Sequence, residues 1–227
     1  MLNVLAIDSA MTTRFNVPLN TSAEQHIRLS NLQTVFSQAC NALTPLVRES
    51  HCWNRVGLHH LAYRRLREQF PALGSQMVCN VIYSVSRACR FVYQNPASPW
   101  LSTRQPNTDL PLVLFGSHAP VYFDRHTLSL RDGRVSMFTL DGRMRFQVHI
   151  SEKQQMHFFN DRLLVVMLRQ IEGVFHLCFA FAEGDAQESP EPMGTNLPEY
   201  LVVREHAVES ETTVLPLDIK TRLTGAA

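Results

Sequence analysis

Met11-Thr12-Thr13-Arg14-Phe15-Asn16-Val17-Pro18-Leu19, followed by Asn20-Thr21-Ser22-Ala23-Glu24, is where the chain passes from one periodicity to another. Phe15, Val17 and Leu19 alternate with polar neighbours, the period-two pattern of a half-buried strand over 11–19. Thr21 as N-cap and Glu24 three residues on make the sequence signature of a capping box. Beyond it Ile27, Leu29, Leu32, Val35/Phe36, Ala39/Cys40, Leu43 and Leu46/Val47 recur every three or four residues, which predicts an amphipathic helix over 22–49. The segments after this strand and helix decide the class.

Two more helices come next. One is expected over 56–69, ended by Pro71, with Leu58, Leu61, Ala62 and Leu66 on one side and Arg64, Arg65 and Arg67 on the other. The next runs from 74 to 94, with Met77, Val81, Val85, Ala88/Cys89 and Val92 inward and Arg87 and Arg90 near its end. Asn95-Pro96 stops it, and the Pro-rich stretch over 96–110 reads as a linker. After residue 110 short apolar runs alternate with the hairpin signals Asp132-Gly133, Asp141-Gly142, Glu172-Gly173 and Glu183-Gly184-Asp185. Strands are expected near 111–116, 119–124, 126–131, 134–140, 143–150, 163–170 and 173–182, with 200–206 as a further one. The class is therefore α+β: a first strand (1–20), a helical insert (21–95), a linker (96–110) and a small antiparallel β-barrel (111–184). An acidic loop, a last strand and a tail occupy 185–227.

The chain has 227 residues, of which 45% are hydrophobic and 18% charged, so it has the material for a sizeable core and is not wholly disordered. It contains no apolar run of the roughly 18 residues a membrane helix needs, and no basic stretch opens into an apolar one at the N-terminus. A soluble, cytoplasmic protein is expected. Cys40, Cys52, Cys79, Cys89 and Cys178 are odd in number and scattered, which suits reduced thiols better than a disulfide framework or a zinc site.

The net charge of +1 hides a split: residues 1–150 carry +7 and residues 151–227 carry −6. Nineteen arginines stand against two lysines. An arginine-rich codon usage would give the same ratio, so the split carries more of the argument than the choice of arginine. It points to one part that faces a polyanion and one that does not.

No His-Glu-x-x-His, no Gly-x-x-x-x-Gly-Lys and no Gly-x-Ser-x-Gly occurs. Adjacent His59 and His60 point about 100° apart on a helix, and His149, His157 and His176 are expected on strands or loops without ligand-like spacing. The chemistry that remains is in Trp53-Asn54-Arg55 through Tyr63-Arg64-Arg65-Leu66-Arg67, where aromatics alternate with cations, with Tyr83, Tyr93 and Trp100 near Arg87 and Arg90. Guanidinium groups neutralise phosphate and rings stack on unpaired bases, so the cluster suits a nucleic acid. A solvated helix face with core aromatics would show the same residues, and Arg87 and Arg90 also complement a helix dipole.

Five segments in order resemble the front end of transposon-encoded, RNA-guided nucleases of the TnpB type and of type V CRISPR effectors. They are Thr13 to Gln25; Phe36-Ser37-Gln38-Ala39-Cys40-Asn41-Ala42-Leu43; Leu58 to Glu68; Leu73-Gly74-Ser75-Gln76-Met77; and the strand pair Tyr122 to Leu130 with Thr139-Leu140-Asp141-Gly142-Arg143. The resemblance implies a wedge-type barrel with an inserted recognition lobe that holds a guide RNA, with target DNA and a separate nuclease or effector subunit as further partners. It marks Tyr63, Arg64, Arg67, Gln76 and Arg143 for RNA contact, and the charge pattern adds Arg55, Arg65, Arg87 and Arg90. The family's RuvC-type nuclease domain would begin about where this chain ends. No catalytic residue, metal or cofactor is therefore expected of it. A partner subunit would dock on the acidic C-terminal part. Two rival readings are a protein-interaction module that does not bind RNA and an α+β hydrolase built from scattered His and Cys.

Overall fold

The computed structural model describes residues 12–96, 98–102, 110–182, 201–204 and 213–215. The first strand, β1 (Thr12–Pro18), buries Val17 and leaves its polar neighbours outward. The long helix α1 (Ala23–Ser50) starts one residue later than the sequence signature places it. Ser22, not Thr21, is the N-cap, because its backbone is extended and its Oγ accepts from the amide of Gln25 at 3.2 Å. The Gln25 side chain answers by accepting from the Ser22 amide at 2.9 Å. A capping box is present, with Gln25 in the role expected of Glu24.

Helix α1 buries Leu29, Leu32, Phe36, Ala39, Cys40, Leu43 and Val47. Ile27 is 61% exposed, because two residues before Leu29 is about 200° round the helix from the buried stripe. Helix α2 (Arg55–Gln69) is capped by Asn54, whose Oδ1 accepts from the amides of Val56 and Gly57. Its contact with the rest is narrow: only Leu58, Ala62 and Leu66 are buried, and Leu61 is turned out of the stripe at 52% exposure. Helix α3 (Ser75–Gln94) lies against both and is the most buried of the helices, from Met77 to Tyr93.

The remaining elements are β2 (Leu112–Leu114), β3 (Val121–Phe123), β4 (Leu128–Arg131), β5 (Arg134–Thr139), β6 (Gly142–Gln147), α4 (Glu152–Asn160), β7 (Arg162–Ile171), β8 (Val174–Ala182), β9 (Leu201–Arg204) and β10 (Thr213–Leu215). Helix α4 falls where the sequence pattern predicts none, opened by a second capping box between Ser151 and Gln154. The strands form three antiparallel sheets, in the orders β1-β8-β7-β3, β10-β9-β2 and β4-β5-β6. The fold is α+β, as the sequence indicates, with the first three helices inserted between β1 and its sheet partner. The sheets do not close into the expected barrel. Strands β2 and β3 are three residues long and pair in different sheets, while among the described residues β4–β6 pair only with one another.

One hydrophobic core runs through helices and sheets, from Leu29 and Phe36 to Phe175, Leu177 and Phe181. Buried or half-buried amides tie helix to strand backbone. Gln33 Nε2 donates to the carbonyls of His118 and Ala119 at 3.3 Å, and Asn80 Nδ2 donates to that of Tyr122 at 3.0 Å. Asn41 pairs with both backbone groups of Phe115, its Nδ2 donating at 2.9 Å and its Oδ1 accepting at 2.7 Å. Buried polar groups of this kind are costly unless satisfied, so they fix which part of each strand faces the helices. The start of the expected linker is held too: Ser98 donates to the carbonyl of Val92, which ends α3 in a closed turn. Among the described residues no helix is long and apolar enough to cross a membrane.

Candidate nucleic-acid interface

Gln76, Cys79, Tyr83, Arg87 and Arg90 succeed one another at steps of three or four along α3, so they share the face that the core leaves half open. The end of β3 and the turn after it lie across this face. Asp124 accepts from Gln76 Nε2 through one oxygen, and through the other from the amides of His126 and Thr127 at 3.0 Å. Arg87 donates to the hydroxyl of buried Tyr122 and stands 5.6 Å from the centre of its ring. Tyr83 meets Tyr122 edge-on at 5.5 Å, and Arg55, at the start of α2, lies 5.3 Å over the Tyr83 ring. Gln76, Arg55 and Arg87 are thus brought together around Tyr83, Tyr122 and Asp124.

The other expected residues divide. Arg64 and Arg65 are exposed on the outer face of α2. Arg67 turns back and donates to the carbonyl of Leu73, closing the connection between α2 and α3. Tyr63 is half-buried and stacks on His59 at 4.6 Å. Arg90 is exposed at the far end of α3. Tyr93 is not available for stacking: it is 1% exposed and its hydroxyl donates to the carbonyl of Pro111 at 2.6 Å. Trp100 is half-buried and packs against the core.

Arg143 lies on β6, outside the helical cluster. Its guanidinium donates to the carbonyl of His126 at 3.1 Å and to that of Ser136 at 3.2 Å, and covers Phe138 at 4.2 Å. Asp124, Thr127 and His126 connect this corner to Gln76 through the bonds just named. The exposed face around Arg143 also carries Arg131, Arg134 and Arg145, which the sequence pattern of dense cations does not single out. Their signal is the alternation in Arg134-Val135-Ser136-Met137-Phe138 and Arg143-Met144-Arg145-Phe146-Gln147, which places every second residue on one side of a strand.

Burial raises the thiol pKa of Cys89 to about 12, and it pushes Cys40 up as well. Cys79 is raised by burial, with Arg55 opposing the shift and Asp124 adding to it. A thiol held protonated at neutral pH is a poor nucleophile. None of the five cysteines is in a disulfide. His157 stands in α4, not on a strand or loop, and its Nδ1 lies 2.6 Å from Asp161 inside a group of phenylalanines. The rings of His59 and His60 are 6.0 Å apart, with their planes at 89°. Among the described residues no three His, Cys, Asp or Glu side chains gather closely enough to hold a metal ion. Asp185 and the acidic stretch after it lie outside the described residues.

No protein-family model matches this chain, and no curated protein matches it in sequence.

Proposed function

We propose that this chain is a cytoplasmic, non-catalytic RNA-binding protein that holds a guide-type RNA and works with a separate effector subunit. The observation that carries the reading is the outer surface of α2. The helix buries only Leu58, Ala62 and Leu66 and presents His59, His60, Arg64 and Arg65 outward, while its first residue, Arg55, covers Tyr83 and Arg87 of α3 covers Tyr122. Arginines tied over aromatic rings are already ordered before they meet a phosphate, so little side-chain entropy is lost on binding. The order of short motifs over residues 12–145 adds a guide RNA as the RNA in question, and target DNA as what the complex would engage.

Arg64→Ala with Arg65→Ala tests this, because neither side chain makes a hydrogen bond or ion pair among the described residues. The double variant is expected to bind RNA more weakly, with a flatter salt dependence and an unchanged melting temperature. Wild-type affinity in a folded double variant would remove α2 from the interface.

A second reading, a docking module for another protein, is favoured by one observation. Met156 and Phe159 on α4, with Leu163 and Leu164 at the start of β7, are exposed apolar side chains, Phe159 at 81%. Exposed apolar side chains that lie close together, unlike ones scattered singly, mark contact surfaces. Phe159→Ser would weaken capture of a partner subunit without touching RNA affinity.

A further inference from the structure

Strands β4, β5 and β6 form a meander with two faces of opposite character. Leu128, Val135, Met137, Met144 and Phe146 point inward and are buried. The outer face is built in rows by the register: Arg131 lies opposite Arg134, Ser129 opposite Ser136 opposite Arg145, and Phe138 opposite Arg143. It contains no Asp or Glu; the nearest carboxylate in its shallow concavity is Asp132, in the turn at its edge.

This arrangement costs free energy in the unliganded protein. Like charges directly opposed across two strands repel, and Arg131 and Arg134 are such a pair. Among the described residues Arg131, Arg134 and Arg145 make no side-chain hydrogen bond or ion pair. The turn between Arg131 and Arg134 holds them in place, with φ of +50° at Asp132 and +68° at Gly133. A side chain on Gly133 would sit in the left-handed region and 3.2 Å from the carbonyl of Val148.

A ligand that satisfies these groups must carry negative charges in series. Successive rows on one face are two residues apart, so the three rows span about 14 Å. A single phosphate or carboxylate does not reach across them. The third row offers a different chemistry: Phe138 is 37% exposed and already lies against the Arg143 guanidinium, a flat pair at the end of the charged rows. Charges in series with a flat ring attached describe a nucleic-acid strand whose bases are free to stack.

We propose that the outer face of β4–β5–β6 is a binding platform for an unpaired nucleic-acid strand, with Arg131, Arg134 and Arg145 on its phosphates and the Phe138–Arg143 pair beneath a base. It stands on the geometry of the sheet and does not need the surface of α2 to bind anything.

The test uses the full chain and a fluorescein-labelled oligouridylate of about twelve nucleotides, long enough to cross the face. Arg134→Ser with Arg145→Ser is expected to weaken binding at least tenfold and to lower the slope of log K against log salt by about 1.4, two phosphate contacts' worth on a single strand. Phe138→Ala is expected to weaken binding about tenfold while leaving the salt slope unchanged, because stacking releases no counterions. Both variants should melt with the wild type. A 4-thiouridine version of the oligomer should crosslink within residues 128–147. Wild-type affinity in both variants, with crosslinks confined to 55–90, would remove this platform and leave the α2 reading standing. Loss in the sheet variants with Arg64→Ala/Arg65→Ala unaffected would do the reverse. Displacement of the oligomer by polyglutamate as readily as by unlabelled oligouridylate would overturn the nucleic-acid assignment in favour of an acidic protein segment.

Discussion

The arginines of the helical part and those of the three-stranded sheet have opposite fates. Around α2 and α3 several are tied to other side chains or backbone of the protein: Arg67 closes a loop on Leu73, Arg87 bonds Tyr122 and Arg55, though exposed, covers Tyr83. On the sheet Arg131, Arg134 and Arg145 stand together without such partners among the described residues. The cause lies in the two periodicities. Neighbouring arginines on a helix diverge by about 100°, so Arg64-Arg65-Leu66-Arg67 spreads its charge round a cylinder. Alternate residues of a strand converge, so Arg143-Met144-Arg145 concentrates it on one plane. A dense run of cations in a sequence is thus a weaker sign of a charged surface than a sparse alternating one.

The largest expected effect separates what positions the arginines from the arginines themselves. Asn80→Ala, which strands the buried carbonyl of Tyr122, should cost about 2–3 kcal/mol in thermal or denaturant unfolding. Arg134→Ser with Arg145→Ser should leave stability within about 0.5 kcal/mol, because both side chains are exposed. An equal loss of stability in both would erase the distinction between scaffold and surface. Next comes Arg67→Ala, expected to lower stability by about 1 kcal/mol through its bond to Leu73, against no change for Arg64→Ala. Equal melting temperatures would place Arg67 back among the surface cations.

The smallest effect is in pH and belongs to the helices alone. Cys89 titrates at about 12 in the fold against an ordinary thiol value of 9.0, and burial also raises Cys40 and Tyr93. A group whose pKa is raised on folding contributes fully below its unfolded value and loses that contribution as pH climbs past it. Stability should therefore be level with respect to these groups up to about pH 8.5 and decline above about 9. Cys89→Ala should soften the alkaline decline; a decline of equal slope in that variant would assign it to other groups.

How much of the molecule was legible in its sequence depends on range. Strand β1 and helices α1, α2 and α3 were readable because their apolar spacing is local. Two capping frames overlap at Thr21-Ser22 and Glu24-Gln25, and only backbone geometry decides for Ser22. Helix α4 leaves no apolar stripe in the sequence because it buries no residue, despite its Ser151–Gln154 box. The barrel expectation failed because pairing of β1 with β8, over 150 residues away in sequence, leaves no local trace, and nor does the separation of β4–β6. In the candidate interface, the sequence marks Arg64 and Arg65, which are exposed, and Tyr93, which is buried, and its dense cations do not point to the three sheet arginines. Alternation along β5 and β6, not charge density, is the signal that marks them.

The most direct measurement is to express the full chain with its native flanking DNA, purify it at low salt and sequence any RNA that remains bound. A single discrete, structured RNA, accompanied by a raised ratio of absorbance at 260 to 280 nm, is the predicted result. Protein that elutes free of nucleic acid, with the absorbance ratio of polypeptide alone, would contradict the account.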